Sequence, residues 1–350
     1  MTARAAWGIL GTGGIAHTFA TAVQESQLGR LVAVGSRDAT RAEAFAKEVG
    51  ADRSHGSYEA LVDDPDVQFV YIATPHSTHV ELAVLAAEAG KHVLCEKPVA
   101  VNAAGAAVIF EAARTAGVFL MEGFAFRCHP QMAHLVRLLE GGEIGELRAI
   151  QASFGFDAGP APTNYLMRRD LAGGAMLDNG CYPVALSRRI AGHTIGRVFR
   201  NPDRVFGAGL LHATEGIDLD ASALTWYEGG ISAQLACTIR TEVDKTVLIT
   251  GSQGFIRLPA AFLPGRLDRF GGVPRIVVER HGEAPREILV ETPAGLYNLE
   301  ADAVVAHARE GRTEAPEMTW EDSLGNMAVL DQWRAAVGVK YDAAVEGATP

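Results

Sequence analysis

The sequence Ala6-Trp7-Gly8-Ile9-Leu10-Gly11-Thr12-Gly13-Gly14-Ile15-Ala16 is a short apolar run that ends in a glycine-rich turn. The run predicts a buried β-strand, the turn fits the pattern G-x-G-x-x-G/A, and residues 17–23 predict a helix. A strand, a tight turn and a helix in this order are typical of the phosphate-binding corner of a dinucleotide fold.

Each position of this turn has a physical role in that interpretation. Gly11 permits the sharp bend, Gly13 lets the backbone approach a pyrophosphate, and the small Ala16 lets the helix pack closely on the strand. The free N–H groups and the dipole at the helix N-terminus favour an anion. The alternative is a glycine-rich turn with a structural role only, but a second predicted strand at residues 31–35 favours the dinucleotide. We therefore predict cofactor contacts at Gly11, Thr12, Gly13, Gly14 and Ile15.

The residues after the second strand indicate which dinucleotide binds. An NAD site usually carries an acidic residue here for the ribose 2′-hydroxyl. This chain has Ser36 and Arg37 instead, with Arg41 one helical turn later, and these groups suit a 2′-phosphate. Asp38 is either the N-cap of the following helix or a ribose ligand that would admit NAD. We favour the cap, and we expect NADP with NAD possible.

Two further predicted strands end in polar residues. Residues 67–73 run into Thr74-Pro75-His76, and residues 92–96 run into Glu96-Lys97-Pro98. Proline cannot extend a parallel strand, and the carboxyl ends of parallel strands open onto the ligand crevice. We therefore expect Thr74, Pro75, His76, Glu96 and Lys97 at the cofactor, although an ordinary surface lysine before a turn is the alternative for Lys97. His79 either contacts the cofactor or caps its own helix.

The order of the predicted elements changes after residue 122. Up to that point strands alternate with helices, including a helix at 103–116 capped by Asn102, which predicts a doubly wound parallel sheet over residues 1–122. After it, strand candidates follow one another at 147–154, 205–212, 219–227, 231–240, 246–250, 255–258, 275–278 and 287–290. They predict a second, α+β domain over 123–350 with a mostly antiparallel sheet. Helices at about 299–309 and 321–337 end the chain, and the second could pack back toward the first domain.

Composition restricts the class of protein. A length of 350 residues favours two domains, and a net charge of -11 argues against nucleic acid or an anionic membrane surface as a partner. No basic-then-apolar leader or membrane-length apolar run is present, so we expect a cytoplasmic protein. The four cysteines are far apart and suggest neither disulfides nor a metal site: they are Cys95, Cys128, Cys181 and Cys237.

The segment Gly173-Gly174-Ala175-Met176-Leu177-Asp178-Asn179-Gly180-Cys181-Tyr182-Pro183 also carries candidate chemistry. If it is helical, Asp178 and Tyr182 are four residues apart and share a face. The two glycines allow another backbone or a ligand to approach closely. Pro183 must kink the helix or lie near its start. The structural alternative is a capping carboxylate and a tyrosine that fills a domain interface.

Three motifs, Gly11–Ala16, Glu96-Lys97-Pro98 and Gly173–Tyr182, occur in this order along the chain. Together they resemble the Gfo/Idh/MocA oxidoreductase family over nearly the whole chain. The resemblance implies a Rossmann domain, a second domain with a large open-faced sheet that commonly forms the dimer interface, and NAD(P)-linked chemistry at a carbinol carbon of a sugar or cyclitol. Lys97 matches the catalytic lysine of the family and Asp178 the aspartate of its second motif. Arg127 and Arg168 lie near family positions around the nicotinamide and the substrate.

Tyr182 stands where inositol-dehydrogenase-like members have histidine. Together with Ser36 and Arg37, it is similar to the branch of glucose-fructose oxidoreductases, dihydrodiol dehydrogenases and sugar ketoreductases, which favours NADP. The resemblance implies an NADP-dependent oxidoreductase that acts on a sugar or cyclic polyol, with Tyr182 exchanging the proton. The ordinary pKa of a tyrosine is about 10, and a protonated Lys97 nearby would lower it.

Two other functions stay open, and the resemblance also implies an assembly. A trans-dihydrodiol dehydrogenase would share these residues but would need an apolar pocket wall for its ring. A non-catalytic NADP-binding sensor would have no need for Lys97, Asp178 and Tyr182 together. A homodimer or higher homo-oligomer is expected.

Overall fold

The computed structural model describes residues 3–159, 164–268, 270–292 and 294–347. The chain forms two compact units, Met1–Cys128 with Ala294–Ser323, and His129–Pro293 with Leu324–Pro350. The predicted division after residue 122 therefore differs in the segment Ala294–Ser323, which returns to the first unit. The reason is tertiary packing: the Asn298 side chain donates a hydrogen bond to the Ala22 carbonyl at 2.8 Å.

The first unit is built on a six-stranded parallel sheet with the strand order β3-β2-β1-β4-β5-β6. Its strands are β1 (Ala5–Leu10), β2 (Gly29–Gly35), β3 (Arg53–His55), β4 (Phe69–Ile72), β5 (His92–Glu96) and β6 (Leu120–Gly123). Its helices up to residue 128 are α1 (Gly14–Glu25), α2 (Ala39–Val49), α3 (Tyr58–Val62), α4 (His79–Glu88), α5 (Ala103–Ala116) and α6 (Ala125–Cys128). The predicted doubly wound sheet is confirmed.

Burial on both faces of the sheet explains why the sequences of the central strands are continuous apolar runs. Every residue of β1 and β4 is buried, as expected of a parallel sheet covered on both faces. Trp7 of β1 packs its ring against Phe19 of α1, with the ring centroids 5.1 Å apart. Asn102 caps α5 as predicted, because its side chain accepts a hydrogen bond from the Gly105 amide at 2.8 Å.

The second unit carries an eight-stranded sheet with the order β14-β13-β12-β11-β7-β10-β9-β8. Its helices and strands are α7 (Pro130–Glu140), β7 (Leu147–Gly155), α8 (Cys181–His193), β8 (Arg204–Leu211), β9 (Asp218–Tyr227), β10 (Ile231–Thr238), β11 (Val247–Gly251), β12 (Gly254–Leu258), β13 (Arg275–Arg280) and β14 (Arg286–Leu289). β7 and β10 pair in parallel, and the other pairs are antiparallel. The mostly antiparallel second sheet is therefore also confirmed.

Three helices follow the second sheet: α9 (Leu296–Arg309), α10 (Trp320–Val337) and α11 (Ala343–Glu346). The start of α10, to Ser323, belongs to the first unit and its remainder to the second. In the second unit α10 packs closely on the sheet: a Cβ added at Gly207 would lie 2.6 Å from the Trp333 ring. Among the described residues, no helix is long and apolar enough to cross a membrane.

One face of the large sheet carries exposed apolar side chains. Phe206 and Leu210 of β8 are 52% and 47% exposed, and Leu224 and Trp226 of β9 are 36% and 38% exposed. Alternate residues of a strand face the same side of a sheet, and Phe206 is paired with Leu224, so all four side chains lie on one face. We call these four residues the open-face patch.

Candidate active site

The glycine-rich turn after β1 has the geometry of an anion site. Gly11 has φ +105°, and a Cβ there would lie 2.4 Å from the Ala73 carbonyl oxygen, so only glycine fits. A Cβ added at Gly13 or Gly14 would meet no described atom within 4 Å. The N-cap of α1 is Gly13, which makes no side-chain capping bond. The turn therefore leaves room beside its backbone and has no side-chain cap, and these residues fit a pyrophosphate at the N-terminus of α1.

The structure settles the role of Asp38. Its Oδ1 accepts hydrogen bonds from the amides of Thr40 at 2.9 Å and Arg41 at 3.1 Å, so Asp38 is the N-cap of α2, as favoured from the sequence. Ser36 is buried, and its hydroxyl accepts the Asp38 amide at 3.3 Å. Arg37 and Arg41 are exposed. Asp38 Oδ1 is thus bonded to the helix, and Asp38 Oδ2 lies 3.9 Å from Arg41 Nε.

Sequence reasoning missed Tyr58, which stands beside Arg37. Burial raises the pKa of the Tyr58 hydroxyl, and the charge and a hydrogen bond of the Arg37 guanidinium oppose that rise. Tyr58 opens α3, a five-residue helix that follows the polar strand β3. Neither element has a hydrophobic pattern that would have revealed it.

His79 ties two loops of the sheet edge together. It is fully buried, its Nδ1 lies 2.8 Å from the Pro98 carbonyl oxygen, and its Nε2 lies 2.9 Å from the Thr74 carbonyl oxygen. Burial lowers the pKa of His79, the two carbonyls oppose this, and the charge of Lys97 lowers it further. His79 therefore braces the loop after β4 against the loop after β5, a role that the sequence did not suggest.

The loop after β4 lies against the glycine-rich turn. A Cβ at Gly11 would lie 3.3 Å from the Thr74 methyl group. The Thr78 hydroxyl donates to the Thr74 hydroxyl at 2.8 Å, and His76 is buried. Pro75 is half-buried. The structure thus brings Thr74, Pro75 and His76 to the same edge of the sheet as the predicted pyrophosphate turn.

Glu96 fixes the backbone that carries Lys97. Its Oε1 accepts a short hydrogen bond from the Tyr71 hydroxyl, and its Oε2 accepts the Lys97 amide at 3.2 Å. Glu300 of α9 is fully buried nearby, and burial together with the charge of Glu96 raises the pKa of Glu300 well above its usual range. Glu96 is thus held in the protein interior, while Lys97, which follows it, is half-buried.

Arg127 and Arg168 are engaged in ion pairs. Arg127 donates from Nε to the Glu317 carbonyl at 2.9 Å and pairs with Asp322, and both side chains are buried. These bonds hold the Arg127 guanidinium in the interior of the first unit, and its predicted cofactor contact stays a prediction. Arg168 forms an exposed pair with Asp170, with Nε 2.9 Å from Oδ1.

Asp178 lies on a π-helical turn, Met176–Gly180, that continues directly into α8. Asp178 Oδ1 accepts a hydrogen bond from the Tyr165 hydroxyl at 3.0 Å. Tyr182 is the second residue of α8, and Pro183, the third, lies near the helix start rather than at a central kink. A π-turn inside a helix is often found at a functional site.

Two phenylalanines surround the Tyr182 ring. Phe154 of β7 lies 4.9 Å from it between ring centroids, and Phe262, after β12, lies 5.7 Å from it. Both are buried, as is Tyr182. An apolar wall beside Tyr182 is therefore present in the second unit. The sequence could not locate it, because Phe262 lies in a loop without a periodic pattern.

Comparison with known proteins extends these observations. Residues 5–124 match an oxidoreductase family described by its NAD-binding Rossmann fold, and residues 132–257 match the GFO/IDH/MocA C-terminal domain. The chain is 35% identical over 345 residues to trans-1,2-dihydrobenzene-1,2-diol dehydrogenase of Mus musculus, which covers 96% of this chain and 97% of that protein. Identity to the Homo sapiens protein of the same name is 32% over 343 residues, with 96% and 97% covered.

Solved structures are similar over the same length. A 3-ketoreductase from Actinomadura kijaniata, in complex with NADP and TDP-benzene, has a TM-score of 0.85 at 27% identity, covering 96% of this chain and 98% of that chain. An aldose-aldose oxidoreductase from Caulobacter crescentus, complexed with glycerol, has a TM-score of 0.83 at 23% identity with the same coverage, which shows the fold alone. The two matched domains span more than half of the chain, so this protein belongs to the Gfo/Idh/MocA family of oxidoreductases.

Proposed function

We propose that this protein is an NADP-dependent oxidoreductase that interconverts a carbinol and a carbonyl on a cyclic vicinal diol. The observation that carries the cofactor assignment is the α2 cap, in which Asp38 Oδ1 accepts two backbone N–H groups and Oδ2 lies 3.9 Å from Arg41 Nε. It leaves Ser36 and the exposed Arg37 as the polar groups at the end of β2. A guanidinium makes charge-assisted bonds to a phosphate, which suits NADP.

In this proposal the residues that would hold the cofactor lie along the carboxyl edge of the parallel sheet. Gly11, Gly13 and Gly14 admit the pyrophosphate against the N-terminus of α1. Ser36, Arg37 and Arg41 hold the 2′-phosphate, and Thr74, Pro75, His76 and Glu96 form the wall of the site. The 3-ketoreductase that this chain resembles was crystallised with NADP, which supports the assignment.

The protein's own contribution to the reaction is proton transfer and orientation. Bound NADP(H) would supply or accept the hydride. Tyr182 exchanges a proton with the substrate oxygen, and the charge of Lys97 favours the phenolate, which brings the phenol toward a useful pKa. Asp178, an acceptor-only carboxylate, holds a second substrate hydroxyl or the lysine.

The names of the relatives favour a substrate with an apolar ring face, and the buried Phe154 and Phe262 rings keep the surroundings of Tyr182 apolar. Aromatic side chains pack well against such rings, and relatives at 35% and 32% identity carry the name trans-1,2-dihydrobenzene-1,2-diol dehydrogenase. A sugar or cyclitol is the second candidate, supported by Asp178, because a carboxylate suits a polyol with several hydroxyls. The two candidates share the reacting group and differ in the ring.

A direct assay tests the proposal. Purified protein is mixed with NADP+ or NADPH and a panel of trans-dihydrodiols, inositols, aldoses and ketosugars, and absorbance of the reduced nicotinamide is followed. We expect turnover with NADP(H), fastest on a cyclic vicinal diol, and its loss in Tyr182→Phe. Higher turnover on aldoses would favour the sugar. NADP(H) binding without turnover on any substrate would instead support a sensor.

A further inference from the structure

We propose that Asp218, the first residue of β9, is a positioning residue that fixes the start of the helix carrying Asp178 and Tyr182. This role rests on the proposed function, in which Tyr182 transfers the proton. Asp218 touches neither group directly. It acts on the backbone that holds both.

The helix start has no cap of its own. The residue before the π-turn, Ala175, makes no side-chain capping bond, and alanine has no side-chain oxygen to offer. Asp218 supplies the missing acceptor from a neighbouring strand: the Met176 amide donates to its Oδ2 at 2.6 Å. A side-chain carboxylate at a helix N-terminus satisfies an otherwise unbonded N–H and matches the helix dipole.

The loop in front of the helix is shaped around this carboxylate. Gly174 has φ +116°, and a Cβ there would lie 2.4 Å from Asp218 Oδ1, so only glycine fits. The preceding Gly173 is held as well, because the Tyr341 hydroxyl donates to its carbonyl at 2.6 Å. The segment is therefore held at Gly173 by Tyr341 and at Met176 by Asp218.

The catalytic candidates follow this anchor closely. Asp178 is two residues and Tyr182 six residues after Met176. Between them, the Asn179 side chain donates to the Thr238 carbonyl at 2.9 Å, which ties the same turn to β10. The π-turn is thus fixed at its first residue and in its middle, and a shift at Met176 is transmitted along the helix to both side chains.

The groups around Asp218 have opposing effects on the pKa of its carboxyl group. Burial raises the pKa of Asp218 to about 6, against the N–H groups of Met176 and Ala175 and the charge of Arg334 on α10. The other titratable neighbours are Cys237 of β10 and Tyr341. Either form of the carboxyl keeps an oxygen that can accept the Met176 amide. Asparagine should therefore replace the function that alanine would remove.

The test compares Asp218→Ala with Asp218→Asn. We expect Asp218→Ala to lower kcat by about ten- to a hundredfold, the scale of a misplaced catalytic group, while KM and the Kd for NADPH change by less than about twofold, as expected of a change in positioning alone. Asp218→Asn should recover most of kcat. The matched control is Asp244→Asn, whose carboxylate accepts a hydrogen bond from the Thr246 amide at 2.8 Å and makes no bond to the π-turn.

Hydrogen exchange of the amides from 174 to 185 separates this proposal from the proposed function, because it needs no substrate. We expect exchange of this segment to be faster in Asp218→Ala than in the parent protein, and unchanged in Asp218→Asn and Asp244→Asn. Tyr341→Phe, which deletes only the bond to Gly173, is the milder variant if Asp218→Ala does not fold, and it should speed exchange of the same segment. Unchanged exchange of this segment in Asp218→Ala would overturn the proposal. Equal losses of kcat in Asp218→Ala and Asp218→Asn would also overturn it. Full activity of Tyr182→Phe would refute the proposed mechanism and leave the exchange result to decide whether Asp218 fixes the helix.

Discussion

Arg37 carries the cofactor preference at the scale of single residues. We predict that Arg37→Ala weakens NADPH binding by about tenfold or more and leaves NADH nearly untouched, because a hydrogen bond to a charged group contributes roughly 1.5–3 kcal/mol. Fluorescence titration with both cofactors measures the change. Arg30→Ala is the control, since Arg30 forms an exposed pair with Asp52 at 3.2 Å. Equal losses for both cofactors would reject the 2′-phosphate assignment.

The residues that the sequence predicted well are those with a local reason for their position. Gly11 has a positive φ that favours glycine, and Asp38 and Asn102 cap the helices that follow them. Residues defined by long-range contacts could not be predicted in this way. Tyr58 reaches Arg37, and Asp218 reaches Met176, across more than 20 residues of chain.

The partners of Arg127 could not be predicted from the resemblance. Its position in the chain suggested a cofactor contact, but its guanidinium is used by Glu317 and Asp322. The partners are about 190 residues away in the sequence. A buried guanidinium needs such partners, because a buried and unpaired charge is costly.

At the scale of elements, the carboxylate that caps the helix start makes the free energy of unfolding depend on pH. The pKa of Asp218 is about 6 in the folded protein, against about 3.9 for an ordinary aspartate. A raised pKa means that the folded state binds the proton more tightly. The contribution of Asp218 protonation to the free energy of unfolding is therefore full below pH about 3.9. It is lost as the pH rises through about 6, and the total loss is about 2 to 3 kcal/mol.

We predict that Asp218→Asn removes this component of the pH dependence. Urea unfolding of both proteins between about pH 4 and about pH 7.5 measures it. The difference in unfolding free energy between parent and variant should shift by about 2 to 3 kcal/mol across that interval, in favour of the variant at higher pH. Parallel curves would show that Asp218 titrates normally in the folded protein.

The strands and helices with clear periodic patterns were predictable to within a few residues. The three-residue β3 was missed because Arg53-Ser54-His55 has no apolar pattern. The parallel pairing of β7 with β10 was also missed, because strand pairing across about 80 residues leaves no local signal. The return of Ala294–Ser323 to the first unit likewise depends on packing and not on local propensity.

At the scale of the whole molecule, the open-face patch of Phe206, Leu210, Leu224 and Trp226 leads us to propose a homodimer. An exposed apolar surface of this kind marks an interaction site. We predict that light scattering gives about twice the chain mass of 37.1 kDa. Trp226→Glu should shift the protein toward the monomer, whereas Leu267→Glu, at an 83% exposed loop position, should not. A monomer at micromolar concentration in the parent protein would contradict this.

The central claim is that Lys97 and Tyr182 act as one unit in proton transfer, and a double-mutant cycle on turnover tests it most directly. Removing a placed proton donor costs about a hundred- to ten-thousandfold in rate, so we expect Lys97→Met and Tyr182→Phe each to lose that much, with residual Lys97→Met activity rising toward higher pH. The exposed Lys47→Met is the control. The double variant should be scarcely worse than either single variant, because groups that share one task are strongly non-additive. Multiplicative losses, or a fully active Lys97→Met enzyme, would contradict the account.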